Sequence, residues 1–500
     1  MGLCSSRVWR CEDSSLTEPQ QPGGSAGPIL SSGSRKRKWR SWDCLGPSWI
    51  VHGPQNQVVV TLQYVFDFIQ RKRRKLSSMH NYQTLFLGGE ASDIKIRALG
   101  KIWSLHKTFL CQSGYFANML KDTWKERHSD IVELEIKNED INIRSLDFVF
   151  GSLYRDDDLP MKPLQVPHVL AAACLLQVER VIQQCNETMK KTINVKTVCS
   201  YYVAAETYRL KSVKTQCFDW LLCNLMIHPS VRLYKDIDIK VMYLLVSSSD
   251  LLVLQREIDL YNTLKKWIFL YFNPRWKGSL ERLFTSANSW LSRHMEFIDS
   301  ITFLESEEGL VFQPVFRQLR FQHIICDLTS TTILEQDRLI PLEWLYPVYK
   351  QQWLTLLQAQ QHRKIGPGTI NEKELEGCSM RCGVRIDRVG TYSWKWSRCK
   401  VSFPLHIIFT NRAIIFKQYR QQCDGSGCLK QIRNVVFRIT LVCFDPNGKL
   451  TFNRTTGHKM VTFEDNEGKS VMELDSNILN FPLYIFCNFL FISLTNTENL

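Results

Sequence analysis

The chain changes its hydrophobic period several times. "SDIKIRAL" (92–99) alternates apolar and polar positions, with Ile94 and Ile96 on one face, and predicts a strand. A turn at Gly100 leads to a second strand near "KIWSLH". "HKTFLCQSGYFANML" (106–120) then places Phe109, Leu110, Tyr115, Phe116 and Met119 on one side of a helix. "IVELEI" (131–136) returns to strand alternation, and "IRSLDFVFGSLY" (143–154) resumes helical character. Strand, strand, helix, strand, helices is the order of an α+β domain.

From about 165 to 300 the pattern is helical. In "VPHVLAAACLLQVERVIQQC", Val166, Val169, Leu170, Ala173 and Leu176 recur at three-to-four spacing, with Pro167 in the first turn, where its missing N–H costs nothing. "EIDLYNTLKKWIF" repeats the pattern with Ile258, Tyr261, Leu264 and Ile268. These stripes predict packed helix cores rather than cofactor boxes. Helical character fades after "WLYPVYKQQWLTLLQAQQ", and "HRKIGPGTINEKELEG" (362–377) reads as a linker. Beyond it the period is two. "TYSWKW" sets Tyr392, Trp394 and Trp396 on one face, and "HIIFTNRAIIFKQY" predicts two strands about Thr410–Asn411–Arg412. "VFRITLVCFDPNGKLTF" predicts a hairpin with Phe437, Ile439, Leu441 and Cys443 in alternation and "DPNG" as its turn. "FPLYIFCNFLFISL" (481–494) is too short to span a membrane, and its aromatic and β-branched content predicts a buried strand. Short strands between turns suggest a sandwich or barrel.

The expected architecture is therefore an α+β multidomain chain. It comprises a basic, disordered tail (1–79), an α+β domain (80–160), a helical region (161–300), a helical extension (301–361), the linker (362–377) and an all-β, sandwich-like domain (378–495). The tail contains "QQPGGSAGPILSSGS" and one apolar stretch, "QVVVTLQYVFDFIQ" (57–70), that fits a strand or short helix.

Charge changes the picture mainly at the start. The net charge is +14, and residues 1–76 hold 12 Lys and Arg against 5 Asp and Glu, a balance of +7. Two clusters carry it: Arg35, Lys36, Arg37 and Lys38, then Arg71, Lys72, Arg73, Arg74 and Lys75. Consecutive cations on a flexible tail suit the acidic grooves of nuclear import receptors, or else form a solvated charge run. The remainder is only mildly basic, which argues against direct nucleic-acid binding. At the N-terminus, Gly2 with Ser6 fits the myristoylation pattern and Cys4 is a palmitoylation candidate, together a weak lipid anchor.

Candidate chemistry is sparse. The chain lacks a phosphate-binding G-x-x-x-x-G-K-[ST], H-E-x-x-H and G-x-S-x-G, and none of its 17 cysteines forms a C-x-x-C pair. Cys378 and Cys382 with Cys423 and Cys428 are spaced too loosely to favour zinc over reduced thiols. His106 reads as a packed or capping residue, and Asp156–Asp158 as a solvated loop. No cofactor, metal or catalytic group is expected. This balance favours an interaction protein.

The segment 92–154 resembles a BTB (POZ) domain. Asp93 falls at the acidic position of the first strand, His106 and Lys107 at the His–basic pair, and Ser113 with Tyr115 and Phe116 at the "S-x-YF" turn. The resemblance implies homodimerisation through an apolar helix near Tyr82–Leu87. It also implies docking on cullin-3 through an apolar–x–acidic element, which Trp124, Lys125 and Glu126 match. An aromatic anchor among charges is what a binding hot spot looks like before its partner arrives. Residues 165–300 resemble the BACK region of ligase adaptors, with Glu257, Tyr261 and Trp267 on its E-x-x-x-[FY]-x-x-x-x-x-W pattern. No kelch period follows.

"NYQTLFLGGEASDIKIRALG", "FGSLYRDD", "VYKQQWLTLLQAQQ" and "ELEGCSMRCG" together resemble the germ cell-less family across about 80–500. That resemblance implies a cullin-3 ubiquitin-ligase adaptor with a germ-cell role. It implies a nuclear protein of the matrix or envelope, with lamina partners and a possible cytoplasmic pool. The C-terminal domain would take the substrate, and Trp394 and Trp396 are the candidates for its face. The alternative is a lamina scaffold or transcriptional co-repressor without ligase function. The tail departs from the family, for 41–70 is apolar and nearly uncharged where an acidic stretch is expected.

Overall fold

The computed structural model describes residues 9–10, 79–120, 131–296, 301–361, 371–396, 405–418, 433–463, 468–475 and 480–492. Near the start of this span, strands Ile94–Ala98 and Lys101–Leu105 pair antiparallel through a two-residue turn. Leu99 and Gly100 both take positive φ there (50° and 76°), the conformation a tight hairpin of this hand requires. Ile131–Glu133 adds parallel to Ile94–Ala98 on the other side. Ile94, Ile96, Trp103, Leu105 and Val132 bury one face, as the alternation predicts.

Two predicted elements here are shorter than expected. Only Ile131–Glu133 of the predicted 131–136 strand pairs. The predicted helix over 106–120 is two, Lys107–Leu110 and Gly114–Met119. The reason is Ser113, whose Oγ accepts from the Phe116 N–H at 3.3 Å and donates to the Leu176 carbonyl. A capping serine restarts the helix inside a continuous apolar stripe. Asn81–Leu87 forms a π-helical turn. It lies close to the Ile143–Ser152 helix at Gly151, where a Cβ would come within 2.9 Å of the Tyr82 ring and 3.0 Å of Phe86.

Helices Val166–Leu175, Glu179–Lys191, Val198–Thr207, Lys211–Asn224, Val231–Asp236, Ile239–Ser247, Glu257–Phe272 and Leu280–Glu296 follow. The stripe read as one run over 166–185 is interrupted at Gln177, which takes φ +52°. Val166, Leu170, Ala173, Tyr261, Leu264 and Ile268 are all buried, so the predicted stripes are core. Residues 301–361 add short turns and the helices Leu328–Asp337 and Leu342–Gln360. One continuous hydrophobic core runs from Ile94 through these helices to Leu345.

The C-terminal strands form two antiparallel sheets. In one, Tyr392–Trp396, Leu405–Phe409, Ala413–Gln418 and Gly468–Glu473 lie in order, with Trp9–Arg10 paired at the edge beside Tyr392 and Ser393. In the other, Leu450–Thr455, Arg433–Phe444, Leu483–Ile492 and Met380–Ile386 lie in order, with Lys459–Phe463 also on Arg433–Phe444. The inner faces meet in one core, where Phe416 and Phe437 rings lie 5.0 Å apart. The predicted hairpin is present, and Phe437, Ile439, Leu441 and Cys443 all point into that core. Leu483–Ile492 is buried on both faces, because its outer side, with Tyr484 and Phe486, packs beside Ile227 of the helical part. That explains its apolar sequence, which only Asn488 interrupts. Of the predicted linker (362–377), residues 362–370 lie outside the described residues, and Glu372–Cys378 is a helix capped by the Asn371 side chain.

Candidate interaction site

The three signature residues of the first domain form a brace. The Asp93 Oδ1 accepts from the Lys107 N–H at 2.8 Å, which ties the first strand to the helix start. His106 N–H donates to the Tyr154 hydroxyl at 3.0 Å. The His106 Nε2 lies 2.8 Å from the Glu90 carbonyl, which only accepts, so Nε2 carries the proton. Nδ1, 3.0 Å from Tyr154 Oη, is then the acceptor and the phenol donates to it. Burial pushes the Tyr154 hydroxyl up to about 12, so it keeps its proton. His106 is a packed histidine, as expected, and the brace is architecture.

Trp124, Lys125 and Glu126 lie outside the described residues, as do Gly2, Cys4, Arg35, Lys36, Arg37, Lys38, Arg71, Lys72, Arg73, Arg74 and Lys75. The flanks of Trp124–Glu126 are described: the Gly114–Met119 helix ends before them and Ile131–Glu133 begins after them. On the helix expected to dimerise, Phe86 packs 5.4 Å from the Tyr154 ring, Arg155 sits 5.4 Å over Tyr82, and Leu87 is exposed.

The substrate-face reading of Trp394 is corrected. Tyr392–Trp396 is a strand, and its alternation turns Trp394 inward, where it is only 5% exposed in the core between the sheets. A sandwich buries every second position, and Trp394 occupies one of these. Trp396 ends the same strand.

The structure brings together residues that the sequence reading did not. Arg381, Asn488 and Arg438 are register partners across three neighbouring strands. This polar row faces the helical part. Arg381 Nε and Nη2 reach Glu257 Oε1 and Oε2 at 2.7 and 3.1 Å, and Nη1 donates to the Val246 and Ser248 carbonyls, both at 2.9 Å. Arg381 and Glu257 are 1% and 0% exposed. Arg438 Nη2 and Asn488 Nδ2 both donate to the Ser249 carbonyl, at 3.0 and 2.9 Å, and Arg438 Nη1 pairs with Asp250 at 2.8 Å. Gln255 and Gly383 exchange backbone hydrogen bonds at 3.0 and 3.2 Å. A bidentate arginine is the side chain best suited to such a buried carboxylate.

Three further contacts hold the same joint. Asn224 Nδ2 donates to the Gly448 carbonyl at 2.9 Å, seating the "DPNG" turn on the Lys211–Asn224 helix. The Arg320 guanidinium donates to the Glu376 and Ser379 carbonyls, and His323 Nε2 to the Cys378 carbonyl at 2.6 Å, so the Glu372–Cys378 helix end is capped by two side-chain donors from the helical extension. Burial pushes Arg320 down to about 9, with Arg381 adding to the shift. Deeper in the helices, Lys265 and Tyr261 share Asp337 Oδ2 at 2.5 and 2.7 Å. Burial lowers Lys265 while Asp337 opposes it.

Among the described residues no three His, Cys, Asp or Glu side chains gather as metal ligands. Cys382 is buried with its thiol 3.4 Å from the Cys487 carbonyl, while Cys423 and Cys428 lie outside the described residues. Among the described residues, no helix is long and apolar enough to cross a membrane. The joint residues were hidden because each lies more than fifty positions from its partner, and Arg381, Arg438, Asn488 and Asn224 more than a hundred. A polar residue at a repeated place in otherwise apolar strands was the available signal.

The BTB/POZ family model matches residues 82–193. The chain is 64% identical to germ cell-less protein-like 2 of Mus musculus over 499 residues, covering the whole of both. It is 52% identical to germ cell-less protein-like 1 of Homo sapiens over 433 residues, 86% of this chain and 84% of the relative. It is 30% identical to protein germ cell-less of Drosophila melanogaster over 450 residues, 85% and 79% of the two chains. A shorter similarity, 25% over 160 residues, links it to Kelch-like protein 22 of Xenopus tropicalis.

Proposed function

The chain belongs to the germ cell-less family, and from that premise we propose that it is a non-catalytic, substrate-specific adaptor of a cullin-3 ubiquitin ligase. In this reading the BTB region self-associates and holds cullin-3 through Trp124, Lys125 and Glu126. The β sandwich recruits the substrate, and the helices between them set the distance. The chemistry belongs to the conjugating enzyme. The adaptor raises the effective concentration of a substrate lysine beside it, and dimerisation adds avidity. The role falls in germ-cell development or spermatogenesis. The place is the nucleus, reached through the two basic clusters.

The observation that supports this reading is the joint. An adaptor must carry its two binding ends on one frame, and the Glu257–Arg381 pair and its neighbours clamp the β sandwich to the helices that continue the BTB core. The test is an affinity pull-down from testis extract with wild type and the Trp124→Ala/Glu126→Ala double variant, reading cullin-3 by mass spectrometry. Cullin-3 bound to wild type and lost from the variant, with unchanged melting, supports the adaptor. Cullin-3 absent from both, with lamina proteins retained, favours the second reading, a lamina scaffold or co-repressor. The basic clusters of the tail suit that reading equally well.

A further inference from the structure

The Leu342–Gln360 helix is held by the rest of the protein along one side. Leu345 is fully buried there, Arg317 lies 4.1 Å over the Trp344 ring, and Gln352 Nε2 donates to the Gln322 carbonyl at 3.1 Å. About a quarter-turn round the helix lies a second apolar stripe: Leu342, Tyr346, Tyr349, Trp353 and Leu356. Its steps of 4, 3, 4 and 3 residues average 3.5, the period of a seam between two helices. Tyr346 and Trp353 are 59% and 58% exposed, and Leu342 and Leu356 are exposed as well. Tyr349 is partly covered, its hydroxyl 3.2 Å from Glu335 Oε1. Large aromatic groups in such a row are costly to leave in water.

The period suits a helix as occupant, and the charges select which one. The segment Leu342–Gln360 carries two charges only, Glu343 and Lys350. They sit seven residues apart on the same flank of the seam, the position that governs pairing in coiled coils. Laid antiparallel on an identical helix, the stripe matches itself. Leu342 faces the partner's Trp353, Tyr346 faces the partner's Tyr349, and Glu343 faces the partner's Lys350. Two-fold symmetry makes each contact twice, as a closed isologous interface requires. Shifting the pairing toward the helix C-terminus by about a turn would instead set Lys350 against the partner's Lys350, so the charges also fix the register.

We propose that the Leu342–Gln360 helix is a self-association surface that takes the same helix of a second copy, antiparallel, about the Tyr346–Tyr349 turn. The pairing is independent of cullin-3 binding and lies outside the BTB region.

The test uses the full chain with benzoylphenylalanine in place of Trp353, mixed as light and heavy-isotope preparations and irradiated. The expected product is a light–heavy cross-link between residue 353 of one copy and the peptide around Leu342 of the other. Because proximity at residue 353 is read, self-association elsewhere in the chain does not mimic it. Glu343→Lys and Lys350→Glu each turn two attractions into repulsions and should lower the cross-link yield about tenfold at limiting concentration. The double variant Glu343→Lys/Lys350→Glu should restore it. Both side chains are on the helix exterior, so an unchanged circular-dichroism melt confirms folding. Cross-links that never mix isotopes, whether to 362–370 or to any other segment of the same chain, overturn the proposal. So does a yield that charge reversal leaves unmoved, or no cross-link from residue 353 or from the same probe at Tyr346.

Discussion

Arg381 and Glu257 stand 124 residues apart in sequence and meet through two hydrogen bonds of 2.7 and 3.1 Å, both side chains removed from water. The strand that carries Arg381 is part of the β sandwich, and the helix that begins at Glu257 is part of the helical core. Removing either partner strands a buried charge. Glu257→Ala or Arg381→Ala should each cost about 3–5 kcal/mol. Replacing both with apolar residues should cost less than the sum of the singles. Urea unfolding of the four proteins measures this, and strict additivity would contradict a coupled pair.

The Gly448 position tests the second contact of the joint. Its φ is +77°, and a Cβ there would lie 2.6 Å from Asn224 Oδ1 and 2.9 Å from the Trp220 ring. Gly448→Ala should destabilise by about 1–3 kcal/mol through strain and overpacking together. Hydrogen exchange should quicken in both the 445–450 turn and the 211–224 helix. Faster exchange in the turn alone would mean the helix does not depend on it.

A pH effect is expected from His406. It lies between Lys395 and Lys417 in register on neighbouring strands. Burial first, and then these two cations, push its pKa down to about 4. A depressed value means that the folded state binds the proton less readily than the unfolded chain. The stability this histidine contributes is therefore complete above the unfolded value of about 6.5 and is lost as pH falls toward 4. His406→Gln should flatten the melting temperature between those limits. Parallel wild-type and variant curves across the window would refute the assignment.

The Tyr154 hydroxyl serves two bonds, accepting from His106 N–H and donating to its Nδ1. Tyr154→Phe keeps the ring stacked 4.2 Å from Phe109 and removes both. A loss of about 1–3 kcal/mol is expected, because a buried N–H is left without its acceptor. Differential scanning calorimetry is the direct measure, and a change below a few tenths of a kcal/mol would mean water replaces the hydroxyl.

Local period carried much of the architecture. The strands at 94–98, 101–105 and 405–409 and the hairpin about "DPNG" were legible because burial on one face leaves alternation behind. Interruptions were not legible. Ser113 and Gln177 break helices through a side-chain cap and a positive φ, neither of which alters the apolar pattern. Trp394 shows the limit for binding sites, since a period of two says which residues share a face and not whether that face meets water. Arg381, Arg438 and Asn488 carry no local sign of their partners, because only the docking of the sheet on the helices turns their side into an interior.

The loop from Ser248 to Gln255 meets the sandwich largely through its own main chain: the Ser248 and Ser249 carbonyls, and the amide and carbonyl of Gln255. A carbonyl presents the same oxygen whatever side chain follows it. The residues of the joint are therefore under different mutational constraint. Ser248 and Ser249 can change without loosening that grip, while Asp250, the buried Leu251 and Val253, and Leu252 and Leu254 on the sandwich side are held by side-chain contacts, as Arg381, Gly383, Arg438 and Asn488 are. A diverging copy can thus exchange these two serines and keep the fit, whereas the same freedom at Asp250, Leu251 or Val253 would open the boundary.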